Sequence, residues 1–176
     1  KNLKKYQNIF KDKFSHKHLI IFGINNTVND KTFNSMAVVN NNLDLIEFYN
    51  KNNLVPFGEF LPLEKLLKNL GMKTITNFYN SYSPGEKRDI ISLQNYEFDI
   101  TFLPLICYEI IYSGKLSKNN NYDLIINISE DGWFGKSIGP YQHFSHSIFR
   151  SIEEGKSIIR STNNGTSALI NPNGQV

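Results

Sequence analysis

Cysteine, tryptophan and long apolar runs are scarce in this sequence of 176 residues, which contains one Cys, one Trp and two Met. A single cysteine excludes an internal disulfide, so its thiol is free in any compartment. No stretch approaches the roughly 18 apolar residues that a membrane-spanning helix requires, and no signal peptide is recognisable. The net charge of +3 is small. Because basic and aromatic residues do not cluster together, the sequence does not indicate a nucleic-acid partner.

The composition predicts one folded domain over residues 1–176. Hydrophobic residues make up 40% of the chain and aromatic residues 13%, which is typical of a globular protein. This length suffices for a real core. The chain begins at Lys1, has its first methionine at Met36 and stops at Val176 directly after the turn NPNGQ. These features predict a fragment that is truncated at both ends.

Short apolar runs separated by turn residues predict eight β-strands and several helices. Helices are predicted at Leu63–Leu70, where leucines recur at helical spacing, and at Pro140–Glu154, which Gly155 closes. The basic stretch 1–18 is most simply a solvated helix or loop. Residues 71–89 are loop-like. Turns are predicted at 23–26 and at 40–42, and the latter joins two strands as a hairpin. The alternation of elements predicts an α/β (α+β) fold with a sizeable sheet. The predicted strands are Leu19–Ile24, Ser35–Val39, Leu43–Phe48, Ile90–Leu93, Asp99–Ile106, Leu124–Ile128, Ser157–Ser161 and Ser167–Ile170.

The only cysteine stands in LPLICYEIIYSG, where an apolar run ends at Cys107 and a carboxylate, Glu109, follows almost at once. A lone cysteine is more often a small buried hydrophobe than a nucleophile. A strand that ends in cysteine and turns sharply can, however, present the sulfur at the sheet edge beside backbone N–H groups. Since a thiol of ordinary pKa is mostly protonated at neutral pH, a nucleophile would need a base or a cation nearby.

Lysine and glutamate are better candidates for that partner than histidine. His143 and His146 share the predicted 140–154 helix, but packing or solvent exposure explains the pair better than a metal site, because no third ligand has a matching spacing. YNKNNLVPFGEF places Lys51 at the end of a strand and Glu59 across a proline-braced loop. No residue pattern indicates a cofactor.

Four strings in chain order resemble the nitrilase-like (carbon-nitrogen hydrolase) domain of the apolipoprotein N-acyltransferase family. They are KNNLVPFGEFLP, PLICYEI, DGWFGKSIGPYQH and RSTNNGTSALINPNG. The resemblance runs from about Leu19 to Val176, and strings of this length do not agree by chance. It implies an αββα sandwich, of which this chain is a partial domain, and a set of membrane helices that this chain lacks.

The resemblance assigns a role to each matching position. Cys107 matches the nucleophile, and Lys51 matches the catalytic lysine, which with the N–H of Tyr108 would stabilise an oxyanion. Glu59 and Glu109 would hold Lys51 and its loop, or be merely structural. Trp133 would line the lipid entrance, or pack in the core. The supporting or substrate-lining residues are thus Glu59, Tyr108, Glu109 and Trp133.

One member of the family's catalytic triad has no counterpart among the matched strings. The glutamate that acts as general base comes from a strand upstream of them. Glu47, in the strand that leads to Lys51, is better explained as a cross-strand or solvated carboxylate. We therefore expect the base to have been cut off with the N-terminus and the chain by itself to be inert.

The implied reaction moves an acyl chain from a membrane phospholipid to Cys107 as a thioester, then to the amine of an apolipoprotein's N-terminal S-diacylglyceryl cysteine. The implied location is the bacterial inner membrane, with this domain facing the periplasm. The 63–70 helix would either lie on the membrane as a lid or pack on the core. A soluble nitrilase-type amidase is the alternative, although LVPFGEF and WFGKSIGP favour the acyltransferase. A non-catalytic binding domain is a third possibility, and retention of both Cys107 and Lys51 argues against it.

Overall fold

The computed structural model describes residues 3–63, 81–94, 99–114, 116–117 and 121–176. The predicted helix at Leu63–Leu70, with its proposed lid role, lies outside these ranges except for its first residue. Residues 71–80 of the predicted loop lie outside them too, whereas residues 81–89 contain no helix or strand, as predicted. Helix α1 spans Leu3–Lys13 and ends in basic residues.

A three-stranded antiparallel sheet follows α1. It consists of β1 (Ile20–Val28), β2 (Lys31–Val39) and β3 (Leu45–Asn50). The predicted hairpin at residues 40–42 is confirmed, because β2 pairs with β3 across that turn.

The predicted turn at residues 23–26 is wrong, because these residues lie inside β1. Asn25 pairs with Asn34 of β2 in an unbroken register. The chain instead reverses at Asn29 and Asp30, whose φ angles are 49° and 62°. Asn and Asp tolerate this left-handed conformation better than most residues, which is why they form such two-residue hairpin loops.

The second sheet has five strands in chain order, with parallel pairs in the middle and antiparallel pairs at both edges. Each strand matches a predicted one, and two of them extend two residues further. Because β5, β6 and β7 are parallel, their carboxyl ends meet at one edge of the sheet. The strands are β4 (Ile91–Gln94), β5 (Asp99–Ile106), β6 (Leu124–Glu130), β7 (Ser157–Asn163) and β8 (Ala168–Ile170).

Helix α2 (Gly139–Glu154) covers one face of the second sheet and confirms the predicted helix. Pro140 lies in its first turn, and Gly155 ends it with a φ of 62°. Phe144 and Ile148 of the helix pack on a buried cluster of the sheet. The most buried sheet members of this cluster are Leu103, Leu105, Ile125, Ile158 and Ile170.

The opposite face of the second sheet packs on the first sheet. Met36 and Val38 of β2 meet Phe102 and Ile106 of β5 in one cluster, with Met36 and Val38 fully buried. Burying a side chain of this size contributes about 1.5–3 kcal/mol. The described residues thus form a sheet–sheet–helix stack, and the predicted α/β class is confirmed.

Candidate active site

Cys107 occupies a sharp elbow at the carboxyl end of β5. The strand ends at Ile106, and a short 3-10 helix, Cys107–Ile111, starts at once. Cys107 has a φ of 53°, a left-handed conformation that costs a non-glycine residue on the order of 1 kcal/mol. Its thiol is free and half-buried. The sequence prediction of a cysteine at a strand-to-helix turn is therefore confirmed, and the strain marks a position that the surrounding structure must hold.

Glu109 holds this elbow from behind and is fully buried. Its Oε2 accepts from the N–H of Ile106 at 2.8 Å. Its Oε1 accepts from the Tyr49 hydroxyl at 2.7 Å and pairs with Arg88 at 3.0 Å. Burial, followed by the Glu109 charge, raises the pKa of Tyr49 far above its ordinary value. Glu109 Oε1 also accepts from the N–H of Asn53 at 3.1 Å, so the side chain ties the elbow to the loop that follows Lys51.

Lys51 lies one residue beyond β3 with its side chain only 1% exposed, and its ammonium donates to Glu59 Oε2 at 2.7 Å. Two backbone bonds fix the residue: its N–H donates to the carbonyl of Asn34, and its carbonyl accepts from Gly85, both at 2.8 Å. A Cβ at Gly85 would come within 2.2 Å of the Asn50 carbonyl oxygen, so only glycine fits there.

Three donors from the described residues hold Glu59. Besides the ammonium of Lys51, Asn34 Nδ2 donates to its Oε1 at 2.7 Å and the N–H of Val55 to its Oε2 at 2.8 Å. The loop of the PFGE string therefore wraps its carboxylate around the lysine. This direct ion pair is the arrangement that the sequence predicted as one of two roles for Glu59.

Cys107, Lys51 and Glu59 line one cavity of about 850 Å³, together with the carboxyl ends of β6 and β7. Tyr108 and Trp133 also line it and are 38% and 56% exposed. Trp133 sits on a short 3-10 turn, Gly132–Phe134. The exposure of Trp133 excludes the alternative of a core tryptophan. Four of the five expected site residues other than Cys107 thus share its cavity, and Glu109 lies behind it.

A buried charged network under the elbow was not predicted from the sequence. His143 Nδ1 lies 2.8 Å from Asp131 Oδ1, and Arg160 donates to Asp131 Oδ2 at 2.8 Å. Burial raises the pKa of Asp131, but hydrogen bonds from Ser129 and His143 and the Arg160 charge outweigh it and lower the pKa. Asp131 is therefore ionised, and Nδ1 of His143 carries the proton between them.

This network reaches Cys107 through the backbone of that residue. His143 Nε2 lies 3.3 Å from the Cys107 carbonyl oxygen, and Asn127 Nδ2 donates to the same oxygen at 3.4 Å. Arg160 in turn donates to Asn127 Oδ1. Burial and the Arg160 charge lower the pKa of His143. With its proton on Nδ1, neutral His143 has no Nε2 hydrogen to donate, so Asn127, which Arg160 holds in place, is the group that braces the elbow by its main chain.

One sequence signal could have revealed this network. Arg160 stands in the apolar run of β7 and is only 2% exposed, and a buried arginine needs a carboxylate partner. Asp131 directly follows the parallel neighbour β6.

His146, three residues beyond His143, is half-buried and packs beside Phe149. Among the residues that the structure describes, no three His, Cys, Asp or Glu side chains are grouped as a metal site.

Comparison with known proteins identifies the family of this chain. Two packed sheets with a cysteine at a strand-to-helix elbow define a nitrilase-like α/β domain. A sequence profile of the carbon-nitrogen hydrolase family matches residues 6–176, and the chain belongs to this family.

Curated relatives share one name. The chain is 38% identical to the apolipoprotein N-acyltransferase of Bradyrhizobium diazoefficiens over 146 residues, which cover 82% of this chain and 27% of the relative. It is 43% identical to that of Rickettsia typhi over 141 residues, 80% of this chain and 27% of the relative. The corresponding protein of Wigglesworthia glossinidia brevipalpis is 38% identical over 166 residues, which cover 91% of this chain and 32% of the relative. The chain therefore spans about a quarter to a third of the length of these relatives.

Solved structures share the fold at low sequence identity. An amidase from Nesterenkonia sp. AN1, described with acetamide covalently added at its active-site cysteine, superposes with a TM-score of 0.65 at 14% identity. The match covers 98% of this chain and 59% of that one. A second structure of this amidase, assigned to the nitrilase superfamily, gives a TM-score of 0.63 at 13% identity, covering 98% and 60%. These likenesses establish the fold and no more.

In the described ranges of the chain, no helix has both the length and the apolar character that crossing a membrane requires.

Proposed function

We propose that this chain carries the acyl-transfer chemistry of an apolipoprotein N-acyltransferase. Two findings together support this proposal. Relatives of that name are 35–43% identical over most of the chain, and Cys107 and Lys51 line the same cavity. The amidase likeness, at 13–14% identity, speaks only for a common fold. We assign transfer to an amine as the function, with hydrolysis of an amide as the alternative outcome of the test.

The first step acylates the nucleophile. The Cys107 thiolate attacks the ester carbonyl of a phospholipid, a C–S bond forms, and the ester C–O bond breaks to release a lysophospholipid. The Lys51 ammonium and the N–H of Tyr108 stabilise the tetrahedral oxyanion. The proton that leaves the thiol passes through a general base to the departing alkoxide. By the family resemblance, that base is a glutamate from a strand that precedes the matched strings.

The second step returns the sulfur to its starting state. The free amine at an apolipoprotein's N-terminus attacks the thioester, an amide C–N bond forms, and the C–S bond breaks. The same base takes the proton of the amine and gives it to the departing thiolate. Donor and acceptor use one sulfur in turn, so the chemistry needs no second nucleophile.

The other site residues support these two steps. Glu59 fixes the Lys51 ammonium, because it accepts its hydrogen bond at 2.7 Å. Glu109 fixes the elbow through Ile106. The exposed rings of Tyr108 and Trp133 line the path by which acyl chains enter. In this proposal the domain faces the periplasm beside the inner membrane, where a phospholipid and a lipoprotein meet.

A labelling experiment tests the function. The complete gene product is incubated with a phospholipid whose acyl chain is labelled, first alone and then with a diacylglyceryl-cysteine peptide. The protein should acquire a label that hydroxylamine releases, as a thioester does, and the peptide should then receive it. Cys107→Ala should remain unlabelled in both conditions.

The opposite result is also defined. If Cys107 is never labelled by phospholipid but the protein releases ammonia from small amides, the domain is a hydrolase and the acyltransferase proposal is wrong.

A further inference from the structure

Glu130 is a carboxylate in the cavity that the two proposed steps do not use. It is the last residue of β6, so it lies at the sheet edge where the parallel strands end. It lines the same cavity as Cys107 and Lys51 and is half-buried.

Neighbouring groups fix the Glu130 carboxylate in one orientation. Its Oε1 accepts from the N–H of Gly132 at 2.7 Å and from Asn164 Nδ2 at 3.2 Å, and its Oε2 accepts from Asn163 Nδ2 at 3.1 Å. A Cβ at Gly132 would lie 2.6 Å from Oε1, so the close approach depends on glycine. A carboxylate has about four acceptor positions, and donors from the described residues occupy three of them, which leaves one on Oε2 for a ligand.

No basic side chain among the described residues balances the charge of Glu130. Burial raises its pKa, but the hydrogen bonds from Gly132, Asn163 and Asn164 outweigh burial and lower it, so the group is an anion at neutral pH. The neighbouring carboxylates of the site are each paired: Glu59 with Lys51, Asp131 with Arg160, Glu109 with Arg88. Over the described part of the chain, no ion pair involves Glu130.

We propose that Glu130, with Asn163 beside it, forms a subsite for a primary ammonium group. An anion that is oriented by fixed donors and has no cationic partner among the described residues can attract a cationic ligand, and a charge-assisted bond to an ammonium is among the stronger hydrogen bonds. The lowered pKa makes Glu130 a weak base, so it positions the cation and does not take its proton. This inference rests on the proposed function, which supplies two ammonium ligands: the amine of the acceptor and the headgroup of an ethanolamine phospholipid.

The test separates the two sources of the ammonium. Glu130→Gln in the complete gene product is compared with the unmodified protein and with Glu86→Gln, the same change at an exposed residue outside this cavity. Acylation of Cys107 is measured with phosphatidylethanolamine and with phosphatidylglycerol, which carries no ammonium. Transfer from the acylated protein to a diacylglyceryl-cysteine peptide is measured separately.

Each pattern of results has one meaning. If the donor headgroup occupies the subsite, Glu130→Gln raises the half-saturating phosphatidylethanolamine concentration on the order of 10-fold and leaves phosphatidylglycerol unchanged. If the acceptor amine occupies it, both acylations are unchanged and the half-saturating peptide concentration rises by a similar factor. Equal behaviour of Glu130→Gln and Glu86→Gln, or an equal loss in all three measurements, overturns the subsite.

A second measurement does not depend on catalytic turnover, so it tests the ammonium subsite even if the proposed function is wrong. In the unmodified protein, phosphoethanolamine should slow alkylation of Cys107 by iodoacetamide more than glycerol phosphate does, because only the first presents an ammonium. Glu130→Gln should abolish the difference, and Glu86→Gln should keep it. Equal protection by both compounds in the unmodified protein overturns the subsite, whether or not the enzyme transfers acyl chains.

Discussion

The Lys51 ammonium donates to the Glu59 carboxylate at 2.7 Å, with only 1% of the lysine side chain exposed. Removing an ammonium from water costs several kcal/mol unless a partner compensates, and Glu59 is that partner. Because Glu59 is itself held by Asn34 and Val55, the cation has one position in the cavity wall. A charge fixed before the reaction is what stabilisation of an oxyanion requires.

Replacing Lys51 by Ala should slow formation of the acyl-enzyme by about 10²–10³, the typical loss for one oxyanion contact. The thiol should still react with small alkylating agents, since the elbow at Cys107 is held by other residues. Rapid-quench measurement of the labelled thioester, with iodoacetamide labelling as the control, checks both statements. An unchanged acylation rate would remove Lys51 from the mechanism.

Replacing Glu59 by Gln should slow acylation less than Lys51→Ala does, because an amide oxygen still accepts from the ammonium. It should nevertheless destabilise the fold by about 3 kcal/mol, since a buried cation loses its counter-charge. Denaturant unfolding beside the exposed control Glu86→Gln measures this. If the two variants unfold alike, the ion pair does not stabilise the domain.

Replacing Asp131 by Asn should destabilise the protein on the order of 3–5 kcal/mol, because Arg160 is left buried without a counter-charge. The matched control is Asp12→Asn, the same change at an exposed position of α1. Alkylation of Cys107 in the folded variant should also slow as the support of its carbonyl loosens. If Asp131→Asn and the unmodified protein have the same free energy of unfolding, the buried network does not stabilise the domain.

The lowered pKa of His143 makes stability depend on pH in a defined direction. Burial and the Arg160 charge oppose protonation in the folded state, so the unfolded chain binds more protons and the free energy of unfolding rises with pH. The contribution is present above the ordinary histidine pKa of about 6.5 and is lost as pH falls below it. Asp131, whose pKa is also lowered, adds a further loss below about pH 4.

Unfolding midpoints measured from pH 8 to pH 5 test the histidine contribution, with His143→Gln as the comparison. The unmodified protein should lose stability over this range more steeply than the variant. Identical slopes would mean that His143 titrates as it does in the unfolded chain.

The sequence predicted most strands because apolar runs bounded by turn residues report burial directly. It failed where backbone pairing extends past the apolar residues: β1 continues through Asn25 to Val28 because a paired neighbour strand, and not side-chain burial, sustains it. The left-handed residues at Asn29 and Asp30 decide where the chain turns, and several other Asn pairs in this sequence offered equally good signals.

The candidate site was predicted in part for a similar reason. Resemblance of strings located Cys107, Lys51 and Glu59, which lie in one cavity. The network of His143, Asp131 and Arg160 under the elbow depends on contacts between α2, β6 and β7. Arg160 in the apolar run of β7 signals a buried carboxylate partner, but which residues meet it is decided only in the folded chain.

Steady-state kinetics of the complete gene product, with donor and acceptor concentrations varied together, test the central claim most directly. The claim is that the thiol of Cys107 accepts the acyl chain before the amine attacks it. Double-reciprocal plots at several acceptor concentrations should then give parallel lines, the pattern of a ping-pong reaction through a covalent intermediate. Lines that intersect would show that donor and acceptor must be bound together before any bond changes, and would contradict the shared-thiol mechanism.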